Sequence, residues 1–293
     1  MTPANAASND PLRMALPKGR MHDGVLQILA EAGIRIQTSA RGYRPTVSLP
    51  GIECKILKPQ NILEMLHIGT REVGFAGADW VHELGVDVVE VLDLGLDPVR
   101  IVVATPRSLV EDGRLPRRPL VVTSEFERLT KAWIEKRAAG DQFLRSYGAT
   151  EVFPPEDADC IIDIAASGAT LEANNLVIVE DLMRSSTRMY ASRAAWNEPV
   201  RRERIETLAM LVRSVLDARR RVMLELNVPS DRLEDVVKVL PCMREPTMAK
   251  LHGDAGFAVK SAVPRDQLPI LIPLIKARGG TDIVISPITQ VVP

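Results

Sequence analysis

The stretch Asp159-Cys160-Ile161-Ile162-Asp163-Ile164-Ala165-Ala166-Ser167-Gly168-Ala169-Thr170-Leu171 carries the residue types best suited to chemistry. An apolar run, read as a strand, delivers one acid, Asp163. A loop of very small residues follows, and Leu171-Glu172-Ala173-Asn174 can begin a helix. Small side chains let a backbone approach a ligand closely. Successive amides, the Ser167 and Thr170 hydroxyls and a helix N-terminus together make a cradle for an anion. Asp163, at the strand end, would accept hydrogen bonds from sugar hydroxyls beside a 5′-phosphate, so the chemistry is that of a phosphorylated sugar. The same string also fits a tight turn with Asp163 as a helix-cap partner. Strand, acid, loop and helix in this order favour the cradle.

A second group is Lys18-Gly19-Arg20, which follows the first apolar run. Ligands of α/β proteins bind at strand C-termini, and there the two cations would meet phosphate oxygens, Arg20 as a fork and Lys18 as a point charge. Other chemistries find little support. Cys54, Cys160 and Cys242 are odd in number and lack a CxxC pair. His22, His67, His82 and His252 are scattered without metal-ligand spacing. A disulfide framework, a zinc knuckle and a protein-ligated metal are therefore not expected, and a reducing cytoplasm fits. Lys plus Arg number 37 against 38 Asp plus Glu, a net charge of −1. That balance argues against a nucleic-acid or membrane-surface binder, so an anion site must be local. Residues 1–11 read as a disordered leader without a signal peptide, and no apolar run is long enough to span a bilayer.

These residues must be positioned by the elements around them. Leu12–Leu16 reads as a strand. Val25, Ile28, Leu29 and Ala32 share one face of a helix over Asp23–Ala32 that Gly33 stops. A strand at Glu53–Leu57, a helix near Gln60–His67 and a buried strand at Val73–Ala76 come next. Strands at Val99–Thr105 and Leu120–Thr123 flank Pro106–Pro119, whose Pro, Gly and charge predict a crossover between two lobes. Ser124–Lys136 reads as a helix and Cys160–Ile164 as a strand, giving an α/β pattern with a largely parallel sheet. The tail differs. Strands at Val222–Val228, Thr247–Leu251, Gly256–Ala262 and Asp282–Ser286, with helices from Ser230 to about Leu240 and within Gln267–Ala277, give βαββαβ, a ferredoxin-like order. Pro269 and Pro273 predict a kink or a late start in the second helix. Arg219-Arg220-Arg221, at the junction, reads as a solvated helix end.

The loop Ser167–Thr170 is similar to the phosphoribosyl pyrophosphate (PRPP) loop of phosphoribosyltransferases, and SGATLEANNL (167–176) closely resembles the version in ATP phosphoribosyltransferases. Ile162-Asp163 stands where the common pattern has two adjacent acids, which counts against the purine-salvage branch. Ala15-Leu16-Pro17-Lys18-Gly19-Arg20 looks like the family's N-terminal motif. Lys58-Pro59-Gln60-Asn61-Ile62 resembles its basic-Pro-Gln-Asp-Ile stretch with Asn61 for the acid, and Val73–Asp79 its Gly-Ile-Thr-Gly-x-Asp segment with Ala76 for the threonine. Ala149-Thr150 replaces the usual Gly-Ser before Glu151. Glu245-Pro246-Thr247-Met248 and the last strand resemble the regulatory domain of the long form.

The resemblance implies a periodic-table of parts that composition alone does not supply: a two-lobed catalytic body like a periplasmic binding protein, with lobe I at 12–104 and 188–218 and lobe II at 105–187, and a regulatory domain at 219–293. It implies attack of adenine N1 of ATP on C1 of PRPP with loss of pyrophosphate, the first step of histidine biosynthesis, with Mg²⁺ held mainly by phosphate oxygens and water. Lys18 and Arg20 become catalytic candidates. Asp163, Ser167, Gly168, Ala169, Thr170 and Leu171 become PRPP ligands. Arg41, Lys58, Asp79 and Glu151 become candidates for ATP. L-Histidine is the implied inhibitor, with Glu225 and Thr247 as its contacts, and dimers assembling into hexamers are the implied oligomer.

Overall fold

The structure, a computed structural model, describes residues 10–38, 42–243 and 245–292. The chain divides into two compact units, Met1–Ala30 with Ile34–Ala209, and Glu31–Gly33 with Met210–Pro293.

The first unit contains β1 (Leu12–Pro17), α1 (His22–Glu31, whose last residue falls in the second unit), β2 (Ile36–Gln37), β3 (Thr46–Val47), β4 (Ile52–Leu57), α2 (Pro59–His67), β5 (Val73–Gly77), α3 (Ala78–Leu84) and β6 (Val88–Pro106). It continues with β7 (Val121–Ser124), α4 (Glu127–Arg137), β8 (Gln142–Arg145), β9 (Cys160–Ala165), α5 (Ala169–Ala173), β10 (Leu176–Ser192), α6 (Arg193–Asn197) and the start of α7 (Pro199–Arg219). Eight strands form one sheet in the order β4-β1-β5-β10-β6-β9-β7-β8. β1 is buried along nearly its whole length and β5 throughout, as expected of parallel strands covered on both faces.

The register shows why ligands would gather at the middle of this sheet. β4, β1 and β5 run parallel, as do β9, β7 and β8. β6 and β10 run antiparallel to each other and to their outer neighbours. Gly77, the last residue of β5, pairs with Thr187. Ala165, the last of β9, pairs with Arg100, which itself pairs with Arg184. The C-terminal ends of both parallel sets therefore point toward one short stretch of β10, residues 184–187, from opposite directions.

The passage between the two halves lies inside β6 and β10, where the ladder shifts register around Ser185–Arg188, and Gly95 and Asp97 take positive φ. It does not lie in Pro106–Pro119, where turn composition had placed it. Strand β6 has already paired with β9 before it ends at Pro106, so the turn-rich segment belongs wholly to the second half. Gly95 and Pro98 do punctuate the crossing in β6, but they stand singly between apolar runs, whereas Pro106–Pro119 carries a longer and denser turn signal.

The second unit contains the end of α7, β11 (Arg221–Val228), α8 (Leu233–Val237), β12 (Thr247–Lys250), β13 (Phe257–Pro264), α9 (Leu268–Ala277) and β14 (Thr281–Pro287). Its antiparallel sheet has the order β12-β13-β11-β14. Val222, Leu224, Leu226 and Val228 alternate inward from β11 and pack with Val236, Leu271 and Ile275 of the helices. α8 is only five residues long and follows a 3-10 turn at Ser230–Arg232, shorter than the apolar spacing predicts. α9 begins at Leu268, so Pro269 lies in the first turn, where an amide has no intrahelical partner, and Pro273 lies inside.

Candidate functional site

Asp163 lies on β9, two residues before its end, half-buried. One of its oxygens accepts the Ile164 amide hydrogen bond at 2.6 Å, and the Thr150 hydroxyl donates to it as well. Burial pushes its carboxyl up to about 6, and the negative charges of Glu151 and Glu125 push the same way against those two hydrogen bonds. Three acids thus face the mouth of one strand, a surrounding that favours hydroxyls and cations as visitors.

Beyond β9, Ala166, Ser167, Ala169 and Thr170 are exposed. Gly168 has φ +85°, a left-handed conformation that glycine adopts without strain. The Ser167 hydroxyl accepts from the Ala169 amide at 3.3 Å, and the first bond of the α5 turn runs from the Glu172 amide to the Gly168 carbonyl at 3.0 Å. Amides 170 and 171 therefore precede the first backbone bond of that turn and are free to serve a ligand, while that of Ala169 is held by Ser167. Leu171 can offer a ligand only its backbone. Its side chain is buried among Val102, Ala104, Ile161 and Leu176, anchoring the loop to the sheet.

On the other side, Pro17 and Leu57 are register partners at the ends of β1 and β4. Lys18 and Lys58, the next residue in each strand, emerge side by side, and the Lys18 amide donates to the Leu57 carbonyl at 2.8 Å. Both side chains are exposed, as is Arg20. Gly19 turns the chain with φ +85°, and the His22 ring nitrogen Nδ1 pairs with the Pro17 carbonyl at 2.9 Å to tie the turn to the start of α1. Lys18 Nζ stands 5.5 Å from the centre of the Tyr43 ring.

The remaining candidates are placed differently. Asp79 is 2% exposed; the Ser185 hydroxyl donates to it at 2.8 Å and accepts from its amide at 3.0 Å. It joins the start of α3 to the middle of β10 rather than presenting a free carboxylate. Glu151 is half-buried in a 3-10 turn beside Thr150. Arg41 lies outside the described residues.

Three contributors escaped the sequence reading. Thr150 and Ser146, both buried, bond each other through their hydroxyls at 2.8 Å and so fix the loop next to Asp163. Tyr147 stands within that loop, almost fully exposed. Only the substitution of Ala149-Thr150 in the family's pattern marked this loop in the sequence.

Nucleophilic and metal chemistry can be weighed on the same geometry. Cys54 and Cys160 are buried, and burial pushes both thiols up to about 12, leaving no thiolate at neutral pH. Among the described residues, no group of three or more His, Cys, Asp and Glu is placed to hold a metal ion.

In the second unit, Thr247, Lys260 and Glu225 occupy register-matched positions on the adjacent strands β12, β13 and β11. Lys260 Nζ pairs with Glu225 at 2.7 Å. Thr247 and Lys260, with Met223, Met243 and Glu245, line a cavity of about 340 Å³. The two expected histidine contacts thus share one sheet face, with an ammonium between them.

Comparison with known proteins now decides the family. The ATP phosphoribosyltransferase model matches residues 58–214, and the model for the C-terminal domain of the same proteins matches 218–290. The chain is 34% identical over 287 residues to the ATP phosphoribosyltransferase of Pelotomaculum thermopropionicum, covering 96% of this chain and 99% of that one. The chain belongs to the ATP phosphoribosyltransferase family. The enzyme of the same name from Desulforudis audaxviator is 35% identical over 288 residues, again covering 96% and 99%. A chain of the ATP phosphoribosyl transferase (HisG:HisZ) complex from Thermotoga maritima matches with a TM-score of 0.62 and 22% identity, over 70% of this chain and 98% of that one, which supports the fold. ATP phosphoribosyltransferases are glycosyltransferases of histidine biosynthesis, and the C-terminal match makes this chain the long form. No described helix is long and apolar enough to cross a membrane.

Proposed function

We propose that this chain condenses ATP with PRPP to give N1-(5-phospho-β-D-ribosyl)-ATP and pyrophosphate. The observation that carries this reading is the convergence of two strand-end groups on the middle of one sheet. A small-residue loop with its acid follows β9, and cationic turns follow β1 and β4. In this reading, the chain up to about Asp97 and from about Arg188 to Ala209 acts as lobe I and the stretch between them as lobe II, so the first boundary falls inside β6 rather than at residue 104.

Asp163 accepts the ribose hydroxyls of PRPP. Amides 170 and 171, with that of Ala169 as it leaves Ser167, and the hydroxyls of Ser167 and Thr170 receive its 5′-phosphate. Lys18 and Arg20 neutralise the departing pyrophosphate, and Lys58 meets the triphosphate of ATP. Adenine N1 already carries a lone pair, so the protein need only align it with C1 and stabilise the charge that leaves; positioning and electrostatics supply the rate. Asp79, held by Ser185, acts by fixing the strand end rather than by touching the purine, and Glu151 acts through the field around Asp163.

Mg²⁺ fits this donor set as a companion of the polyphosphate. Asp163 and its acidic neighbours would offer it hard oxygens, and since no group of three or more such ligands is gathered among the described residues, phosphate oxygens and water would supply the rest. When bound, the ion supplies charge neutralisation for pyrophosphate. In the second unit, L-histidine occupies the cavity at Thr247 and Lys260 and lowers activity, and copies of the chain assemble as dimers and then hexamers, in the cytoplasm.

The direct test mixes the purified chain with ATP, PRPP and Mg²⁺ and follows the ultraviolet absorbance of phosphoribosyl-ATP together with pyrophosphate release. Pyrophosphate release dependent on both substrates is expected. No product from ATP with PRPP would overturn the reading.

A further inference from the structure

The segment between β6 and β7, residues 107–120, carries four arginines, and no step of the reaction uses them. Arg118 pairs with Asp159 at 2.9 Å and donates to the Pro119 carbonyl. Arg114 and Arg117 are exposed, and among the described residues neither guanidinium has a hydrogen-bond or ion-pair partner. Both border a cavity of about 620 Å³, lined also by Leu115, Trp133, Val179 and Glu180. Small-molecule sites span roughly 300–1,000 Å³, so the size is that of a ligand pocket.

The chain that presents the two arginines is fixed from inside. Arg137, the last residue of α4, pairs with Asp141 at 2.6 Å, and the Asp141 side chain is fully buried. The same guanidinium donates to the carbonyls of Pro116 and Arg118, at 2.7 and 3.0 Å. It thus grips the chain on both sides of Arg117. Arg114 is held separately: it exchanges two backbone bonds with Glu111, both 2.9 Å, across a hairpin in which Asp112 and Gly113 take positive φ.

The rest of the lining is mainly apolar. Trp133 is 8% exposed, and Leu115 and Val179 are half-buried and pack against the same core. The Trp133 indole donates to Glu180 at 2.8 Å, so the carboxylate of the lining is already engaged. Two guanidinia without a counter-charge suit the oxygens of a carboxylate or a phosphate. The apolar lining suits a hydrocarbon body attached to it.

We propose that this cavity is a second ligand site, taking a small organic anion with its carboxylate or phosphate on Arg114 and Arg117 and its apolar body against Leu115, Trp133 and Val179. It rests on no step of the reaction proposed above, and it lies apart from that site. α4 begins just beyond the end of β7, on the side toward which β9 also runs. Its 11 residues then carry the chain roughly 16 Å back before Arg137 is reached.

The test is calorimetric titration of the full chain with phenylpropionate, phenethyl phosphate, the neutral phenylpropanol and inorganic phosphate. The first two should bind, and their relative affinities tell which head group the arginines prefer. Arg114→Gln and Arg117→Gln should each weaken that binding at least about tenfold. Phenylpropanol lacks the charged head and inorganic phosphate lacks the body, so neither should show binding that these substitutions remove. Both arginines being exposed and without partners, the fold should survive, and kcat and both KM values should stay within about twofold of wild type. Excess ATP or PRPP should leave phenylpropionate in place. Equal affinity for the two anionic probes in wild type and both variants, displacement of phenylpropionate by ATP or PRPP, or no binding of either probe would overturn the site.

Discussion

The Glu83 carboxylate accepts hydrogen bonds from the backbone amides of Arg128 and Leu129, at 3.0 and 3.1 Å. Glu83 is on α3 in one half of the catalytic unit, and the amides open α4 in the other, so one half supplies the helix cap of its neighbour. Trp80 and Phe126 stack beside this contact with ring centres 4.9 Å apart. A carboxylate at a helix N-terminus gains from both the unpaired amides and the helix dipole. Glu83→Ala should lower stability by about 1–2 kcal/mol, read as a shift of the urea midpoint with an unchanged slope. A midpoint equal to wild type would show that α4 finds another cap.

Asp163 links stability and activity in opposite senses. Its folded carboxyl is raised to about 6, whereas an unfolded aspartate titrates near 3.9. The folded state therefore holds the proton longer. The favourable contribution of this group is full below about pH 4 and is lost as pH rises through about 6. Asp163→Asn should thus stabilise the free protein at pH 7.5, by roughly 1–2 kcal/mol. The same variant should lose at least about tenfold in kcat/KM for PRPP. In the wild type, kcat/KM for PRPP should fall as pH drops through about 6, where Asp163 takes up a proton and loses acceptor capacity, and this limb should be absent from the variant. A variant with unchanged profile and stability would remove Asp163 from the site.

Gly168 tests the cradle. A Cβ there would meet only Ile178 Cδ1 at 3.8 Å, so space does not forbid a side chain; the φ of +85° does. Gly168→Val places a β-branched residue in left-handed geometry, at a cost of about 1–2 kcal/mol or more, and turns the loop away from its amide-presenting shape. Loss of kcat/KM by at least about a hundredfold, with far-ultraviolet circular dichroism unchanged, is expected. Near-normal turnover would mean that PRPP is held elsewhere.

Much of this was legible in the residues. The loop after β9, the basic turn after β1 and the βαββαβ tail each follow from local spacing, since small residues, terminal charges and period-two alternation act over a few positions. What was not legible is long-range. β6 and β10 run 19 and 17 residues, and their central residues pair across both lobes, which no local pattern encodes. The burial of Asp79 likewise depends on Ser185, 106 residues away. Along α7, Ile205, Leu208, Ala209, Val212 and Val215 keep helical spacing and are buried, but dense charge between them masks the stripe in the sequence. Tyr147 gave no periodic signal at all.

Lys18 and Arg20 should act through charge alone. Lys18→Met and Arg20→Met keep much of each side chain's apolar length while removing the cation, and each should lower kcat/KM by at least about tenfold, or roughly 1.4 kcal/mol of transition-state binding. No single histidine substitution should abolish turnover, since His22 is tied to the Pro17 carbonyl and His67 to the Asp87 amide. A histidine variant that folds and is inactive would require a general base in the mechanism.

The sheet face of the second unit offers the last test. Glu225, Lys260 and Thr247 lie in line across three strands, and Lys260 already satisfies Glu225. An incoming amino acid therefore meets an ammonium and a hydroxyl first, which suits its carboxylate, and Glu225 is reached by its ammonium only as Lys260 shifts partner. Inhibition requires histidine to favour one global state, and a hundredfold preference corresponds to about 2.7 kcal/mol. Lys260→Met and Thr247→Val should each raise the histidine concentration for half-inhibition at least about tenfold, while kcat and both KM values without histidine stay within about twofold. Removing Lys260 leaves Glu225 exposed and unpaired but wet, so the unit should keep its fold. Titrating histidine into wild type and both variants at fixed ATP and PRPP separates the possibilities. Equal inhibition of all three would place the effector site outside this sheet face.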